Sequence, residues 1–379
     1  MGENKPQVSL CMIVKDEAEN LPRCLSSVYG LADEIVIVDT GSADDTRAAA
    51  ERFGARVFSF AWVDDFSSAR NYSLEQAGGE WVLVMDADEE LAPGSAILLR
   101  PFLQRRDVEG LFITMVNFHG ENAGTDLETY LYLKIFRNRS CYRYTRPLHE
   151  QLLGIPADLK GFLAVPEARC LHYGYLSQYE QKKDKSNRNF GIIRAEIERS
   201  PDAFNYLSLA QEYFRAGRLE EAVKAALESC RLLDKRAYYG AKLYKLLGTG
   251  YCQLERYREA LEVCREGVIH YPDYPDLVYL LGAACLGLER YAQAVGFFRQ
   301  CLAMGSLASP LLMRDQAYTG YRAYLALGQA YFSLGKVEDA IECYRRALGL
   351  NPDCLSAAER VEELLRCQSS QETGGSQNG

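Results

Sequence analysis

The chain has 379 residues, more than one ordinary core accommodates, so two to three domains are expected. Its 48% apolar and 25% charged residues are those of a soluble globular protein, and a net charge of −9 argues against a broad nucleic-acid footprint. No apolar run reaches the roughly 20 residues of a membrane span, and MGENKPQVSLCMIV lacks the basic start and cleavage site of a signal peptide, so a cytoplasmic protein is expected. The twelve cysteines are scattered without a CxxC pair; Cys230, Cys252, Cys264 and Cys301 sit in apolar contexts that suit reduced core thiols.

Strand-like and helix-like segments alternate through the first half. VSLCMIV at 8–14 is a continuous β-rich run, and Asn20, Pro22, Leu21, Leu25 and Val28 then mark a helix start and its apolar face. EIVIV at 34–38 is a second strand, TGSADDTRAAAERFG a turn and helix, ARVFSF a third strand, SSARNYSLEQAGG a helix closed by glycines, and WVLVM at 81–85 a fourth strand. Strands apolar on both faces predict a covered, mostly parallel α/β sheet. LFITMVNF, YLKIF and SCYRYTRPLHEQLLG predict antiparallel strands and loops appended to it, and QYEQKKDKSNRN at 178–189 a basic stretch leading into a helix.

After residue 200 the period lengthens. Ala222, Ala260, Ala294 and Ala340 each follow a turn of the type ERYREAL, and Ala260 to Ala294 is a step of thirty-four residues. Twelve positions before each alanine stands a small residue (Ala210, Gly248, Gly282, Gly328), and nine before it Tyr213, Tyr251, Cys285 or Tyr331. This pattern resembles tetratricopeptide repeats over about 203–354, with insertions near 235–240 and 303–320, and implies an all-α solenoid with a concave groove. The expected organisation is an α/β domain at 1–190, a repeat domain of about four helix pairs at 191–365, and a disordered tail at 366–379 whose QSSQETGGSQNG has no apolar period.

Three predicted strands run into acids: Val14 into Lys15-Asp16-Glu17, Val38 into Asp39, and Met85 into Asp86. In an open parallel sheet the ligand crevice lies beyond the carboxyl ends of the strands. Neither GxGxxG nor GxxxxGK[ST] occurs, so carboxylates rather than a phosphate-cradling loop face that crevice. Carboxylates reach a phosphate through a hard divalent cation, and Asp86-Ala87-Asp88 has the spacing to serve Mg²⁺ or Mn²⁺. A solvated acidic loop with Glu89 and Glu90 opening a helix is the plainer alternative.

SLCMIVKDEAENLPRCLSSV, DEIVIVDTGSADDT, DDFSSARNYSLEQAGGEWVLVMDADEEL and RPLHEQL, in that order, resemble family 2 glycosyltransferases of the GT-A fold. The resemblance covers about 7–190. Within it the segments are similar to a bacterial subgroup with a tetratricopeptide tail, which includes bacteriocin S-glycosyltransferases and lipopolysaccharide-core transferases. It implies inverting transfer from a nucleoside diphosphate sugar, a UDP-sugar first among them, to a peptide, protein or cell-envelope glycan held in the repeat groove. Asp86 and Asp88 match the family's DxD motif for donor and metal, Asp39 a nucleotide contact, and Arg70 a donor or diphosphate contact. Asp16 stands where many relatives have Asn. His172 matches a histidine that completes the metal site, with Mn²⁺ preferred by an imidazole; a core histidine is its alternative. Glu150 is the expected base, with His149 and Gln151 shaping the acceptor side, and Lys182, Lys183, Lys185 and Arg188 form a candidate basic lid.

The plainer roles are a turn cap for Asp39, an ion pair with Asp64 or Asp65 for Arg70, and one with Arg143 or Arg146 for Glu150. A catalytically inactive platform beside the solenoid and a nucleotidyltransferase are the competing functions. A homodimer is compatible with the solenoid.

Overall fold

The computed structural model describes residues 7–119, 126–174, 176, 185–237, 239–305 and 316–375. Contacts divide the chain into one unit of residues 1–121 with 129–195 and a second of residues 122–128 with 196–379.

In the first unit the apolar runs become strands in the expected order. They are β1 (Val8–Val14), β2 (Glu34–Asp39), β3 (Arg56–Ser59), β4 (Trp81–Val84), β5 (Glu89–Leu91), β6 (Gly110–His119), β7 (Asp126–Arg137), β8 (Arg143–Thr145), β9 (Gln151–Leu153) and β10 (Phe162–His172). Helices α1 (Leu21–Ser27), α2 (Thr46–Arg52), α3 (Phe66–Gln76) and α4 (Ser95–Leu103) connect them. The main sheet has the order β3-β2-β1-β4-β7-β6-β10-β5, with β8 and β9 as a separate antiparallel ribbon. The β1–β2, β2–β3 and β1–β4 pairs are parallel, as is β6–β10, whereas β4–β7 and β5–β10 are antiparallel. Of the later strands, β6, β7 and β10 are therefore part of the main sheet, and the β6–β10 pairing is parallel, where the sequence suggested only antiparallel additions.

β1 and β4 are buried along nearly their whole length, which is why neither alternates apolar with polar residues. Leu10, Met12, Trp81, Leu83 and Met85 are fully covered and join Leu21, Leu25 and Leu99 from the helices in one core. The indole N–H of Trp81 donates to the Leu103 carbonyl (3.0 Å), so this large side chain is buried without an orphaned donor.

Helix α5 (Lys185–Arg199) contains both the expected boundary at 190 and the observed division after Ala195. In the second unit four helix pairs follow: α6 (Ala203–Arg215) with α7 (Leu219–Leu232), α8 (Gly240–Gln253) with α9 (Tyr257–His270), α10 (Pro275–Gly287) with α11 (Tyr291–Met304), and α12 (Tyr321–Ser333) with α13 (Val337–Leu350). A last helix, α14 (Leu355–Gly375), runs through the stretch from 366 to 375 that its polar composition predicted to be disordered. Gln, Ser and Glu oppose a helix only weakly, so the turns anchored by buried Ala357 and Leu364 extend into it.

Each pair repeats one joint. The first helix ends in a left-handed residue, Gly217, Glu255, Glu289 or Gly335, and the next N–H returns to the carbonyl of Tyr213, Tyr251, Cys285 or Tyr331 at 2.8–2.9 Å. This is a Schellman closure, and it explains why the aromatic position keeps a fixed distance from the turn. Where that position is tyrosine, the cation after the turn, Arg218, Arg256 or Lys336, also lies over its ring at 4.6, 4.8 and 5.9 Å.

Candidate active site

β1 lies between β2 and β4, and its register places Val14 opposite Asp39 and Cys11 opposite Val84. Asp39 and the turn after β4 therefore leave the same edge of the sheet, two strand spacings or about 10 Å apart. At that edge the loops after β1 and β2 are stitched together. The N–H of Asp16, at φ 55°, donates to Ser42 Oγ (3.0 Å), and Asp16 Oδ1 accepts from the Ala43 N–H (2.7 Å). Asp39 is buried and accepts from the N–H groups of Gly41 (3.1 Å) and Ser42 (2.8 Å), with Arg47 at 3.3 Å. Burial raises its carboxyl, but these donors outweigh burial and hold it below the usual range. The capping role anticipated as its alternative is the one these bonds give it.

The acids of Asp86-Ala87-Asp88-Glu89-Glu90 do not sit as an unrelieved cluster of like charge; each has its own partner. Asp86 Oδ1 accepts from Arg70 (2.8 Å), and Asp88 Oδ1 lies 3.5 Å from His172 Nε2. Both oxygens of Glu89 receive the ammonium of Lys134 at 2.6 Å, and Glu90 accepts from the Tyr173 hydroxyl (3.0 Å) with Arg23 at 3.8 Å. Glu89 and Glu90 belong to β5, not to a helix start, which corrects the acidic-loop alternative. Glu89 is buried because β5 pairs with β10, and its Oε2 accepts the Asp86 N–H (2.9 Å), so one carboxylate shapes the turn after β4 and neutralises a buried lysine. Burial disfavours the Lys134 cation, yet Glu89 and Asp86 overcome that and hold its pKa above the ordinary lysine range.

Arg70 joins two of the expected site residues. Its Nη2 donates to Asp86 and its Nε to Glu150 Oε1, both at 2.8 Å, with side-chain exposures of 14% for Arg70 and 15% for Glu150. Burial raises the Asp86 carboxyl, but Arg70 first and then Lys134 pull it far below the usual range. Asp65 is not its partner: it caps α3 through Ser68 (N–H at 3.1 Å) and Ser67 Oγ (2.7 Å). Neither Arg143 nor Arg146 takes Glu150; Arg143 donates instead to the Tyr142 carbonyl (2.8 Å).

The loop presenting Glu150 is tied to α3. Asn71 exchanges two hydrogen bonds with the backbone of Tyr144 (2.7 and 2.8 Å), and the Phe66 N–H donates to the Pro147 carbonyl (2.9 Å). Arg146 and His149 hold left-handed backbones at φ 78° and 56°, local strain of the kind that collects at functional loops. Gln151 opens β9, where Thr145 is its register partner.

Asp88 and His172 are the pair that would accept a divalent cation. His172 ends β10, and its Nδ1 faces Asn117 Oδ1 at 3.0 Å, so the ring nitrogen toward Asp88 is Nε2. Burial pushes the imidazole down, but Asp88 outweighs it and leaves the group above its ordinary value. A carboxylate and an imidazole facing one another suit Mn²⁺ or Mg²⁺ with the remaining positions open to phosphate or water. Among the described residues no group of three or more His, Cys, Asp or Glu side chains is placed to hold a metal ion, so an ion here would rest on this pair and on ligands from outside the protein.

Of the candidate lid, Lys182 and Lys183 lie outside the described residues, and Lys185 enters only as the first residue of α5. Arg188 is placed over the Phe66 ring at 4.8 Å. Sequence reasoning missed Lys134, Glu89 and Asn117. The available signal was YLKIF itself, a lysine inside a run otherwise apolar enough to be buried, which demands a carboxylate partner.

A model of glycosyl transferase family 2 matches residues 9–154, and tetratricopeptide repeat models match residues 246–308 and 321–354. A TPR repeat-containing protein of Synechococcus elongatus is 35% identical over 277 residues, covering 69% of this chain and 68% of that one. An uncharacterized glycosyltransferase of Rickettsia felis is 36% identical over 86 residues, 23% of this chain and 30% of its own. The SPbeta prophage-derived glycosyltransferase SunS of Bacillus subtilis is 23% identical over 295 residues, 74% of this chain and 67% of its own. The chain thus spans about two thirds of two of these relatives and under a third of the other. With acids gathered at the carboxyl edge of a mostly parallel sheet and paired helices following it, these matches show that the chain carries a glycosyl transferase family 2 domain at its N-terminal side, followed by tetratricopeptide repeats.

Proposed function

We propose that this protein is an inverting, metal-dependent hexosyltransferase. It moves a sugar from a nucleoside diphosphate sugar, a UDP-sugar first among the candidates, to a peptide, protein or glycan acceptor. The observation that carries this reading is Arg70, whose guanidinium holds the donor-side Asp86 and the candidate base Glu150 at once. Two carboxylates with different tasks, fixed to one buried cation, suit a reaction in which charge leaves on one side and a proton leaves on the other.

In that reaction the acceptor atom forms a bond to the anomeric carbon while the bond from that carbon to the diphosphate oxygen breaks. Glu150 takes the acceptor's proton, and Arg70 sets its orientation. Asp86 faces the donor, and Asp16 and Asp39 flank the nucleotide through the stitched loops of β1 and β2. Asp88 and His172 would hold Mn²⁺ or Mg²⁺, which when bound neutralises charge building on the diphosphate. The solenoid contributes acceptor binding: Lys245 pairs with Asp276 at 2.8 Å across α8 and α10 and lies over the ring of Tyr318, which packs at a tilt against Tyr279. No helix among the described residues is long and apolar enough to cross a membrane.

The test is release of nucleoside diphosphate from a panel of activated sugars, with Mn²⁺ and with chelator. The expected result is metal-stimulated release that Asp88→Ala lowers at least tenfold; an Asp88→Ala protein as active as its parent would overturn the assignment. Production of pyrophosphate would select nucleotidyl transfer, and absence of nucleotide affinity by calorimetry an inactive platform.

A further inference from the structure

We infer that Gly174 and Asn117 build the cation cradle of Asp88 and His172, Gly174 by leaving these two side chains room to face one another and Asn117 by setting which imidazole nitrogen faces Asp88. This rests on reading Asp88 and His172 as cation ligands and adds two positioning residues to them.

Gly174 follows β10 by two residues, and the segment is pinned to the donor turn because the Tyr173 N–H donates to the Asp88 carbonyl (3.1 Å). A Cβ built on Gly174 would stand 2.5 Å from Asp88 Oδ2 and 2.7 Å from His172 Nε2, with Asp88 Cγ next at 3.2 Å. The Gly174 backbone is not in the left-handed region, unlike that of Gly154 or Gly161, so conformation does not demand a glycine there. What demands it is the space. A point that close to both an oxygen and a nitrogen is too tight for carbon. A side chain at this position would therefore push Asp88 and His172 out of the places from which both could reach one ion.

Asn117 supplies the other half. It is buried on β6 as the register partner of His172, and its Nδ2 donates to the Tyr130 hydroxyl (3.4 Å) while its Oδ1 faces His172 Nδ1 (3.0 Å). An amide oxygen only accepts, so Nδ1 carries the hydrogen and Nε2 is the nitrogen left to face Asp88, free to give up its own proton to a cation. Partners of this kind behind a metal-binding histidine change metal affinity by about 10- to 100-fold when removed.

The experiment titrates Mn²⁺ alone into the chelator-stripped full chain and follows the electron paramagnetic resonance signal of the free ion, with circular dichroism as the check on folding. The parent binds Mn²⁺, Gly174→Ala weakens binding at least tenfold with an unchanged spectrum, Asn117→Ala weakens it about 10- to 100-fold, and Asn117→Asp, which still accepts from Nδ1–H, restores most of it. A folded Gly174→Ala protein that binds Mn²⁺ like the parent overturns the cradle while leaving the ligand pair standing. A parent that does not bind Mn²⁺ overturns both. If Gly174→Ala fails to fold, the asparagine pair decides: equal affinity for Asn117→Ala and the parent sinks the inference, and loss with rescue by Asn117→Asp upholds it.

Discussion

In the solenoid, Gly282 and Gly328 stand where an added methyl would come within 2.6 Å of Phe298 and Tyr344, and Gly248 meets Cys264 in the same way. One contact between the two helices of a pair is thus made three times with different partners. In the sheet unit nothing about the charged edge recurs: Lys134 with Glu89, Arg70 with Asp86 and Glu150, and His172 with Asp88 are single events, each joining residues far apart in sequence. A periodic fold stores its stability in many similar joints, whereas the sheet edge concentrates charge in a few that have no substitutes.

The sharpest way to break that contrast is at Lys134. Its side chain and that of Glu89 are 5% and 4% exposed, so Lys134→Met leaves a buried carboxylate without its cation and is expected to cost about 3–5 kcal/mol in chemical denaturation. Adding Glu89→Gln to Lys134→Met should recover part of the loss, and full stability of the single variant would mean that the charges are not structurally committed. A joint of the solenoid should yield less. Gly328→Ala forces a methyl against Tyr344 and is expected to cost about 1–3 kcal/mol, while Gly296→Ala, in mid-helix with nothing within 4 Å, should gain roughly 0.5–1 kcal/mol. Equal effects at the two glycines would deny the joint its role.

An effect of similar size to that at Gly296 is expected in the acid dependence at Glu34. Burial raises its carboxyl, but donation from Ser9, the Gly78 N–H (2.8 Å) and Arg56 outweighs this and lowers it below 4.5. Its contribution is therefore present above the ordinary carboxylate value and lost as pH falls through the lower, folded one. Glu34→Gln should flatten the fall in stability below about pH 4.5, by something near 1 kcal/mol, read from denaturation midpoints at several pH values.

The same contrast explains what could be read beforehand. The solenoid was legible because Tyr213, Tyr251, Cys285 and Tyr331 accept equivalent backbone bonds, so a fixed spacing in sequence reports a fixed joint in space. β1, β2 and β4 were legible as apolar runs, and Asp39, Asp86 and Asp88 as acids at their ends. Their partners were not. Lys134 lies forty-five residues from Glu89, and Asn117 lies fifty-five from His172; such pairs form only when β7 and β6 take their places in the sheet. Glu89 was misplaced at a helix start because pairing with β10, absent from any local pattern, decides that it is a strand.

The last helix gives the stack a particular way of coming apart. Ala357 and Leu364 of α14 are buried, so the outer end of the row is sealed by a lid of one helix and not left as a raw edge. Fraying from this end begins by peeling that lid, a local event involving few side chains, and the pair directly beneath it keeps its protection from hydrogen exchange until the lid has lifted.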